Sequence, residues 1–226
     1  MKRLLAIGDI HGRLGKLREL VRQVWPDGED QVVFLGDYID RGPDSRGVID
    51  FLLAFAERFP RTVFLRGNHE QLFLDALVER GIRTGKTLRE ISPLYRRNAL
   101  GGDVELFLGN GGSATLLSYE GTWEIPPEHR HFLEETVLTY RSGRYLFVHA
   151  GAGDGFEAEE QDPYVLLWSR FSPPGRGEER QVVGHTVTDD GRPRFEAGRI
   201  HLDTGAGTDG PLTACDLLTQ RIWQAL

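Results

Sequence analysis

Hydrophobic and polar positions follow two different patterns in the first eighty residues of the chain. Short runs of consecutive apolar residues, RLLAI, QVVFL and TVFL, predict strands that are buried on both faces. Between these runs, apolar residues recur every three or four positions, as in LGKLRELVRQVW, and this spacing predicts amphipathic helices. Strands that alternate with helices in this way indicate a parallel sheet covered by helices.

The pattern changes in residues 81–131, which contain many glycine and polar residues and show weak periodicity. We predict one domain over residues 1–226, with helices and loops around 81–131 forming a cap-like insertion. Beyond the insertion, short apolar runs joined by Gly-rich turns predict a second sheet, mixed or antiparallel. These runs are RYLFVHAG, RQVVGHT, RIHLDTG, LTACDLL and QRIWQ. The pattern therefore predicts an α/β fold with two sheets.

Composition and charge narrow the classes of function. Apolar residues make up 39% of the 226 residues, which is enough for a substantial core. The single cysteine, Cys215, excludes an intrachain disulfide and a thiolate zinc site, and it suits the reducing cytoplasm that we expect. The net charge of −7 counts against a nucleic-acid partner, and no apolar stretch is long enough to span a membrane. We expect a monomer.

Residues that bind metals follow five of the predicted strands. Functional groups of parallel sheets lie beyond the carboxyl ends of the strands, so these side chains are expected to converge. One glycine and aspartate after a strand usually form a turn, but five such ends predict a metal site. The candidates are Asp9, His11, Asp37, Asn68, His69, His149 and His185. Their nitrogen and oxygen donors suit Mn, Fe or Zn better than Mg.

The number of candidate ligands predicts two metal ions. Seven side chains exceed what one tetrahedral ion requires, whereas two ions that share a carboxylate use such a set fully. Two ions about 3.5–4 Å apart are a common arrangement for displacement at phosphorus, and they lower the pKa of a shared water. The set therefore indicates phosphoester chemistry.

Five motifs together resemble the signature of the calcineurin-like metallophosphoesterases. They are GDIHG, GDYIDRG, GNHE, HAG and GHT, and the resemblance extends from residue 8 to about residue 205. Within this family the chain is similar to the phosphoprotein phosphatases, especially the small bacterial and phage serine/threonine protein phosphatases. The resemblance implies two packed mixed β-sheets flanked by helices, a four-layer sandwich with a small cap.

The resemblance also implies a role for each matching metal ligand. Asp9 and His11 would bind the first ion, and Asp37 would bridge both ions. The second ion would be bound by Asn68, His149 and His185. We expect two divalent ions, Mn²⁺ first, with Fe or Zn as alternatives. The resemblance further implies direct attack on phosphorus by a metal-bound hydroxide.

The resemblance also implies roles in catalysis and phosphate binding for four other residues. His69 would be the general acid, Asp40 would orient it, and Arg41 and Arg170 (in LLWSR) would bind phosphate oxygens. Arginine matches phosphate geometry through two hydrogen bonds, and histidine can protonate a leaving alkoxide. Two plainer interpretations stay open. Arg170 could pair with a carboxylate, and Asp40, like Asp44, could stabilise a helix N-terminus.

Other residues carry weaker signals. Asn110 in GNGGSAT is a candidate substrate contact, although a plain Gly-rich turn explains that segment equally well. His129 and His131 fall in a polar helical pattern and are predicted to be solvated, and His201 is predicted to be a strand residue.

The leading functional hypothesis is a phosphomonoesterase that acts on phosphoserine or phosphothreonine in proteins or on a small phosphoester. The first alternative is a symmetrical bis(5'-nucleosyl)-tetraphosphatase, which hydrolyses diadenosine tetraphosphate. Those enzymes often depart from DRG at the aspartate, whereas this chain retains Asp40. A phosphodiesterase or nuclease is disfavoured by the net charge, and a non-catalytic metal-binding module by the intact ligand set.

Overall fold

The computed structural model describes residues 2–153, 157–170 and 178–226. In the first part of the chain, strands and helices alternate as the apolar pattern predicts. These elements are β1 (Leu4–Ile7), α1 (Leu14–Val24), β2 (Gln31–Phe34), α2 (Ser45–Arg58), β3 (Thr62–Phe64) and α3 (Asn68–Glu79). The side chain of Asp44 accepts a hydrogen bond from the backbone N–H of Gly47 and so caps α2.

Short helices occupy most of residues 81–131. They are α4 (Leu88–Ile91), α5 (Pro93–Asn98), α6 (Asp103–Phe107), a π-helical turn (Leu108–Gly112), α7 (Ser113–Ser118) and α8 (Pro127–Glu135). Helix α6 packs against α3, and helices α7 and α8 pack against α2. Helices α6, α7 and α8 therefore extend the helical layer of the first sheet.

The remaining elements are mainly strands. They are β4 (Thr139–Ser142), β5 (Tyr145–Val148), a 3₁₀ turn (Ala158–Glu160), α9 (Pro163–Trp168), β6 (Arg180–Val183), β7 (Arg194–Glu196), β8 (Arg199–His201), β9 (Leu212–Asp216) and β10 (Arg221–Ala225). The described residues form two five-stranded sheets, ordered β10-β9-β1-β2-β3 and β4-β5-β6-β8-β7. Both sheets contain parallel and antiparallel pairs, so the predicted mixed sheets are confirmed.

One part of the strand prediction is wrong. The runs LTACDLL and QRIWQ become β9 and β10, and both belong to the first sheet rather than the second. Strand β9 pairs antiparallel with β1, placing Ala6 opposite Cys215. All five residues of β9 are buried, as expected for a strand inside a sheet. An apolar run shows that a strand is buried, but it does not show which sheet buries it.

Strand β1 is apolar on both faces, and each face packs against a different layer. On β1, Leu4 and Ala6 belong to the core between the sheets, whereas Leu5 and Ile7 pack among residues of the helical layer. Cys215 lies in the core between the sheets, where burial raises the pKa of its thiol to about 12. Among the described residues, no helix combines the length and apolar character needed to cross a membrane.

Candidate active site

The candidate metal ligands converge where strands of the two sheets end. The first group joins ligand atoms of His11, Asp37 and His69, and the second joins Asp37, His149 and His185. Within each group these atoms lie within 4.8 Å of one another. Asp37 belongs to both groups and is buried. The fold thus brings together side chains that are far apart in sequence.

The two oxygens of Asp37 face different histidines. Oδ2 lies 3.5 Å from Nε2 of His11, and Oδ1 lies 3.4 Å from Nε2 of His149. A carboxylate that presents one oxygen to each of two nitrogen donors suits the bridging position between two cations. This geometry supports Asp37 as the shared ligand.

Backbone carbonyls set the tautomers of two histidines. The Nδ1–H of His11 donates to the carbonyl of Ile39 at 3.0 Å, and that of His149 donates to the carbonyl of Leu35 at 2.7 Å. When the rings are neutral, as a bound metal requires, each Nε2 lone pair faces the site. Both rings therefore carry the outer-shell hydrogen bond typical of histidine ligands.

The two remaining candidate ligands lie beside these groups, although Asp9 belongs to neither of them. Oδ1 of Asn68 lies 3.0 Å from both Nε2 of His149 and Nδ1 of His185, so three donor atoms meet at one place. Oδ2 of Asp9 accepts the backbone N–H of His185 at 2.9 Å. Among the described residues, Asp9 Oδ1 and His185 Nε2 are buried without a hydrogen-bond partner. A buried polar atom without a partner is costly, and a cation would satisfy the Asp9 oxygen.

Electrostatics also favour a cation here. Burial opposes the ionisation of Asp37, but the nearby imidazoles, His149 foremost, hold its pKa well below the usual range. Burial, followed by the Asp203 carboxylate, raises the pKa of Asp9. Burial disfavours the charge on His149, but Asp37 outweighs it and raises the pKa to about 10. Buried carboxylates so close together require positive charge, which a bound metal would supply.

The backbone of the site is held in an uncommon conformation. Several non-glycine residues here have positive φ, namely His11 (48°), Asp37 (52°), Asp40 (71°), Arg41 (65°) and His185 (60°). Each costs about 1 kcal/mol or more and persists only when its surroundings enforce it. Gly67 is required for another reason, since a Cβ atom there would collide with the Asp37 carboxylate.

His69, which belongs to the first ligand group, also pairs with a second buried carboxylate. Nδ1 of His69 donates to Oδ2 of Asp40 at 2.7 Å, and both side chains are buried. The Arg41 guanidinium lies 3.1 Å from Nε2 of His69 and 2.9 Å from Nε2 of His11. Burial opposes the charge on His69, but Asp37 and then Asp40 raise its pKa overall. A histidine that can carry a proton thus lies next to a guanidinium that can bind an anion.

Two predicted substrate contacts lie at the margin of this cluster. Arg170 is exposed, and its positive charge is one of the lesser causes that, after burial and His149, lower the pKa of His185 to about 3. Asn110 is half-buried, and its Nδ2 donates to the carbonyl of Leu106 at 2.7 Å. It lines a cavity of about 270 Å³ together with Tyr164 and Trp168.

Sequence reasoning missed several residues of this site. The Glu70 carboxylate accepts the backbone N–H groups of Asp37 and Tyr38, each at 2.8 Å, and that of Gly67 at 2.9 Å. Its position as the last residue of the GNHE motif is the sequence feature that could have indicated this role. Thr115 contacts Asp40 and lies in the GNGGSAT segment, where the sequence pattern indicates Asn110 but not Thr115.

The prediction of a solvated His129 is wrong. His129 is buried, its Nδ1 lies 2.8 Å from the Tyr119 hydroxyl, and its Nε2 lies 2.9 Å from Oδ1 of Asp50. A polar pattern does not reveal a histidine whose two ring nitrogens are both satisfied. His131 is exposed, as predicted, and His201 lies at the end of β8.

Comparison with known proteins places these features in a family. The chain is 41% identical over 220 residues to serine/threonine-protein phosphatase 1 of Salmonella typhimurium, covering 92% of this chain and 88% of that protein. It is 26% identical over 245 residues to an asymmetrical bis(5'-nucleosyl)-tetraphosphatase of Geobacillus thermodenitrificans, covering 92% of this chain and 87% of that protein.

The fold has solved counterparts. A crystal structure of a protein provisionally described as a diadenosine tetraphosphatase superposes with a TM-score of 0.70 at 22% identity, covering 99% of this chain and 92% of that one. At this identity the likeness concerns the fold alone. The model of the calcineurin-like phosphoesterase family matches residues 2–204. The chain therefore belongs to the calcineurin-like phosphoesterase family and is a hydrolase of phosphate esters.

Proposed function

We propose that this protein is a metal-dependent phosphomonoesterase that removes phosphate from phosphoserine and phosphothreonine in proteins. The observation that carries the proposal is the buried pair of His69 and Asp40, 2.7 Å apart, beside the Arg41 guanidinium. A serine or threonine alkoxide is a poor leaving group and needs a proton as the ester bond breaks. A phosphate leaving group, as in a dinucleoside tetraphosphate, needs one far less.

The residues of the candidate active site divide the steps of this reaction among them. His69 delivers a proton from Nε2 to the leaving oxygen, and Asp40 holds the ring through Nδ1 and stabilises its charge. Arg41, joined by Arg170, donates hydrogen bonds to the phosphate oxygens, where negative charge accumulates. Two divalent ions on Asp9, His11, Asp37, Asn68, His149 and His185 would supply Lewis acidity and a nucleophile from water at neutral pH.

The comparisons support the substrate class in part. The 41% identity to a serine/threonine-protein phosphatase over most of both chains favours a phosphoprotein substrate. Manganese as the resident ion and a cytoplasmic location belong to the same proposal, on the grounds of the donor set and the cysteine content.

A dinucleoside tetraphosphatase is the second candidate. The relative named as an asymmetrical bis(5'-nucleosyl)-tetraphosphatase, 26% identical over most of both chains, supports it. The cavity lined by Tyr95, Tyr164 and Trp168 also supports it, because a planar nucleobase stacks well on aromatic side chains. Its wall lies next to the ligands, since the rings of Trp168 and His185 are 6.0 Å apart.

Turnover measurements with Mn²⁺ decide between the candidates. We expect a phosphoserine peptide to show a higher kcat/KM than diadenosine tetraphosphate. A reversed order would replace the proposal with the tetraphosphatase. Absence of metal-dependent turnover of p-nitrophenyl phosphate would leave a binding module, and cleavage of single-stranded DNA would indicate a nuclease.

A further inference from the structure

The pair of His69 and Asp40 continues into two buried hydroxyl groups. Oγ1 of Thr115 lies 2.6 Å from Oδ1 of Asp40, and Oγ of Ser45 lies 2.9 Å from Oγ1 of Thr115. Asp40, Ser45 and Thr115 each have 0% of their surface exposed. The imidazole of His69 is therefore backed by a carboxylate and two hydroxyls that water does not reach.

The direction of each hydrogen bond follows from the number of protons. An ionised carboxylate only accepts, so Thr115 gives its single hydroxyl proton to Asp40. The lone pairs of Thr115 accept the backbone N–H of Asp40 at 2.9 Å and the hydroxyl proton of Ser45. Ser45 accepts a second, longer bond from the same N–H at 3.1 Å. The chain runs from Ser45 to Thr115 to Asp40, and His69 donates from the other side.

This network fixes the plane of the Asp40 carboxylate. A carboxylate held through one oxygen can rotate about its Cβ–Cγ bond, whereas one held through both oxygens cannot. Here Oδ2 accepts from His69 and Oδ1 accepts from Thr115. Hydrogen bonds to a charged acceptor are strong, and burial strengthens them further. The direction in which His69 points its Nε2 therefore depends on Thr115.

Thr115 comes from the GNGGSAT segment, which also contacts the next residue of the turn. The carbonyl of Gly111 accepts the backbone N–H of Arg41 at 3.2 Å, and Gly111 has a φ of 103°. A glycine is needed there because this conformation is strained for other residues. Residues 111–115 thus hold the turn of Asp40 and Arg41, both of positive φ, at two points.

We propose that Thr115 is a positioning residue for protonation of the leaving group. Its hydroxyl, supported by Ser45, holds the Asp40 carboxylate in the plane that aims His69 at the leaving oxygen. The step in which this matters rests on the proposed function, whereas the hydrogen bonds themselves do not. The GNGGSAT segment thereby contributes to protonation of the leaving group through Thr115.

The test compares Thr115→Val, which keeps the side-chain shape, with Thr115→Ser, which keeps the hydroxyl. We expect Thr115→Val to lower kcat on a phosphoserine peptide by about 10- to 100-fold, with little change in KM. The loss on p-nitrophenyl phosphate should be several-fold smaller, because nitrophenolate leaves with little protonation. Thr115→Ser should retain most of the activity.

Two other variants serve as comparisons. Ser45→Ala removes the donor behind Thr115 and should change the same ratio in the same direction, but less. Thr62→Val removes a hydroxyl that donates to the carbonyl of Phe59 at 2.6 Å, at the start of β3 and away from the site. It should leave the ratio of the two rates unchanged.

A second measurement uses metal-free protein with ¹⁵N-labelled histidine. The Nδ1–H resonance of His69, identified by its absence in His69→Asn, should shift or broaden in Thr115→Val and persist in Thr115→Ser. Equal losses of kcat on both substrates, or an unchanged resonance in Thr115→Val, would overturn the positioning role. If wild-type protein hydrolyses neither substrate, the proposed function fails, and the resonance still decides whether Thr115 orders the ring.

Discussion

At the scale of single residues, His69 is the side chain whose role can be separated most clearly from the others. Its Nδ1 is engaged by Asp40, so only Nε2 faces the Arg41 side of the site. A metal ligand and a general acid at this position differ in one respect: loss of an acid matters most when the leaving group is basic. Kinetics on two leaving groups can therefore assign the residue.

We expect His69→Asn to reduce kcat on a phosphoserine peptide by roughly 10²- to 10⁴-fold and to reduce turnover of p-nitrophenyl phosphate much less. Steady-state kinetics on both substrates at saturating Mn²⁺ check this. His131→Asn, on an exposed side chain of α8, is the matched control and should change neither rate. Losses of equal size on the two substrates would remove His69 from the acid role.

Asp75 is a buried carboxyl that should make the stability of the protein depend on pH. Asp75 on α3 is buried, and its Oδ1 accepts the Gln71 side-chain amide at 2.8 Å and the Leu88 backbone N–H at 3.1 Å. Burial raises the pKa of Asp75 to about 7 despite these hydrogen bonds. The folded state therefore binds a proton that the unfolded chain releases near pH 4.

As the pH rises from about 4 to 7, the unfolded state loses this proton first, so the contribution of Asp75 to stability falls over that window and then levels off. In Asp75→Asn, one amide oxygen can accept both hydrogen bonds, and the free-energy cost of burying an ionisable carboxyl disappears. Urea unfolding at several pH values should show the variant gaining stability relative to wild type, by a few kcal/mol at about pH 7. Asp209→Asn, on an exposed residue, should show no such trend. A difference that does not change with pH would disprove the interpretation.

At the scale of elements, Glu70 joins the loop after β2 to the start of α3. Its carboxylate accepts the backbone N–H groups of Asp37, Tyr38 and Gly67. Asp37 is a candidate metal ligand, and the other two residues each adjoin one. A glutamine at this position would turn one acceptor into a donor that faces two N–H groups. The loop after β2 and the N-terminus of α3 would then no longer be held in a fixed position relative to each other.

Glu70→Gln should lower the free energy of unfolding by about 1–3 kcal/mol, because buried donors lose their partner. It should also weaken Mn²⁺ binding by about 10- to 100-fold, which is the typical effect of removing a hydrogen bond that supports a metal ligand. Denaturant unfolding and calorimetry measure the two effects. Glu90→Gln at the start of α4 is the control, since glutamine serves equally well in its capping box. If Glu70→Gln is destabilised but binds Mn²⁺ with unchanged affinity, Glu70 supports the stability of the fold and not the binding of metal.

The elements also show how far the sequence alone can reach. The alternation of apolar runs and helical stripes predicted β1 to β3 and α1 to α3, because local burial patterns specify local structure. It misplaced β9 and β10, whose sheet depends on partners distant in sequence. The site followed the same division. The sequence shows metal-binding residue types at strand ends, whereas the hydrogen bond between Thr115 and Asp40 is a tertiary contact that no spacing encodes.

At the scale of the whole molecule, the site and the core are largely separate. The apolar clusters between the sheets and under the helices are formed by hydrophobic side chains, while the ligands gather where the strands end. The fold should therefore persist without metal. The ligand cluster should still cost stability when empty, because buried carboxylates then lack the positive charge they face.

Removal of metal with EDTA should abolish activity and leave the far-ultraviolet circular dichroism spectrum unchanged. Returning Mn²⁺ at about 100 times its dissociation constant should stabilise the protein by about 2.7 kcal/mol per site. For a chain of this size, this predicts a rise in Tm of roughly 5–10 °C for one site. Asp37→Asn removes the shared carboxylate and should greatly reduce this dependence on Mn²⁺. Loss of secondary structure on chelation would show instead that the metal organises the fold, and a Tm indifferent to Mn²⁺ in wild type would refute the proposed metal centre.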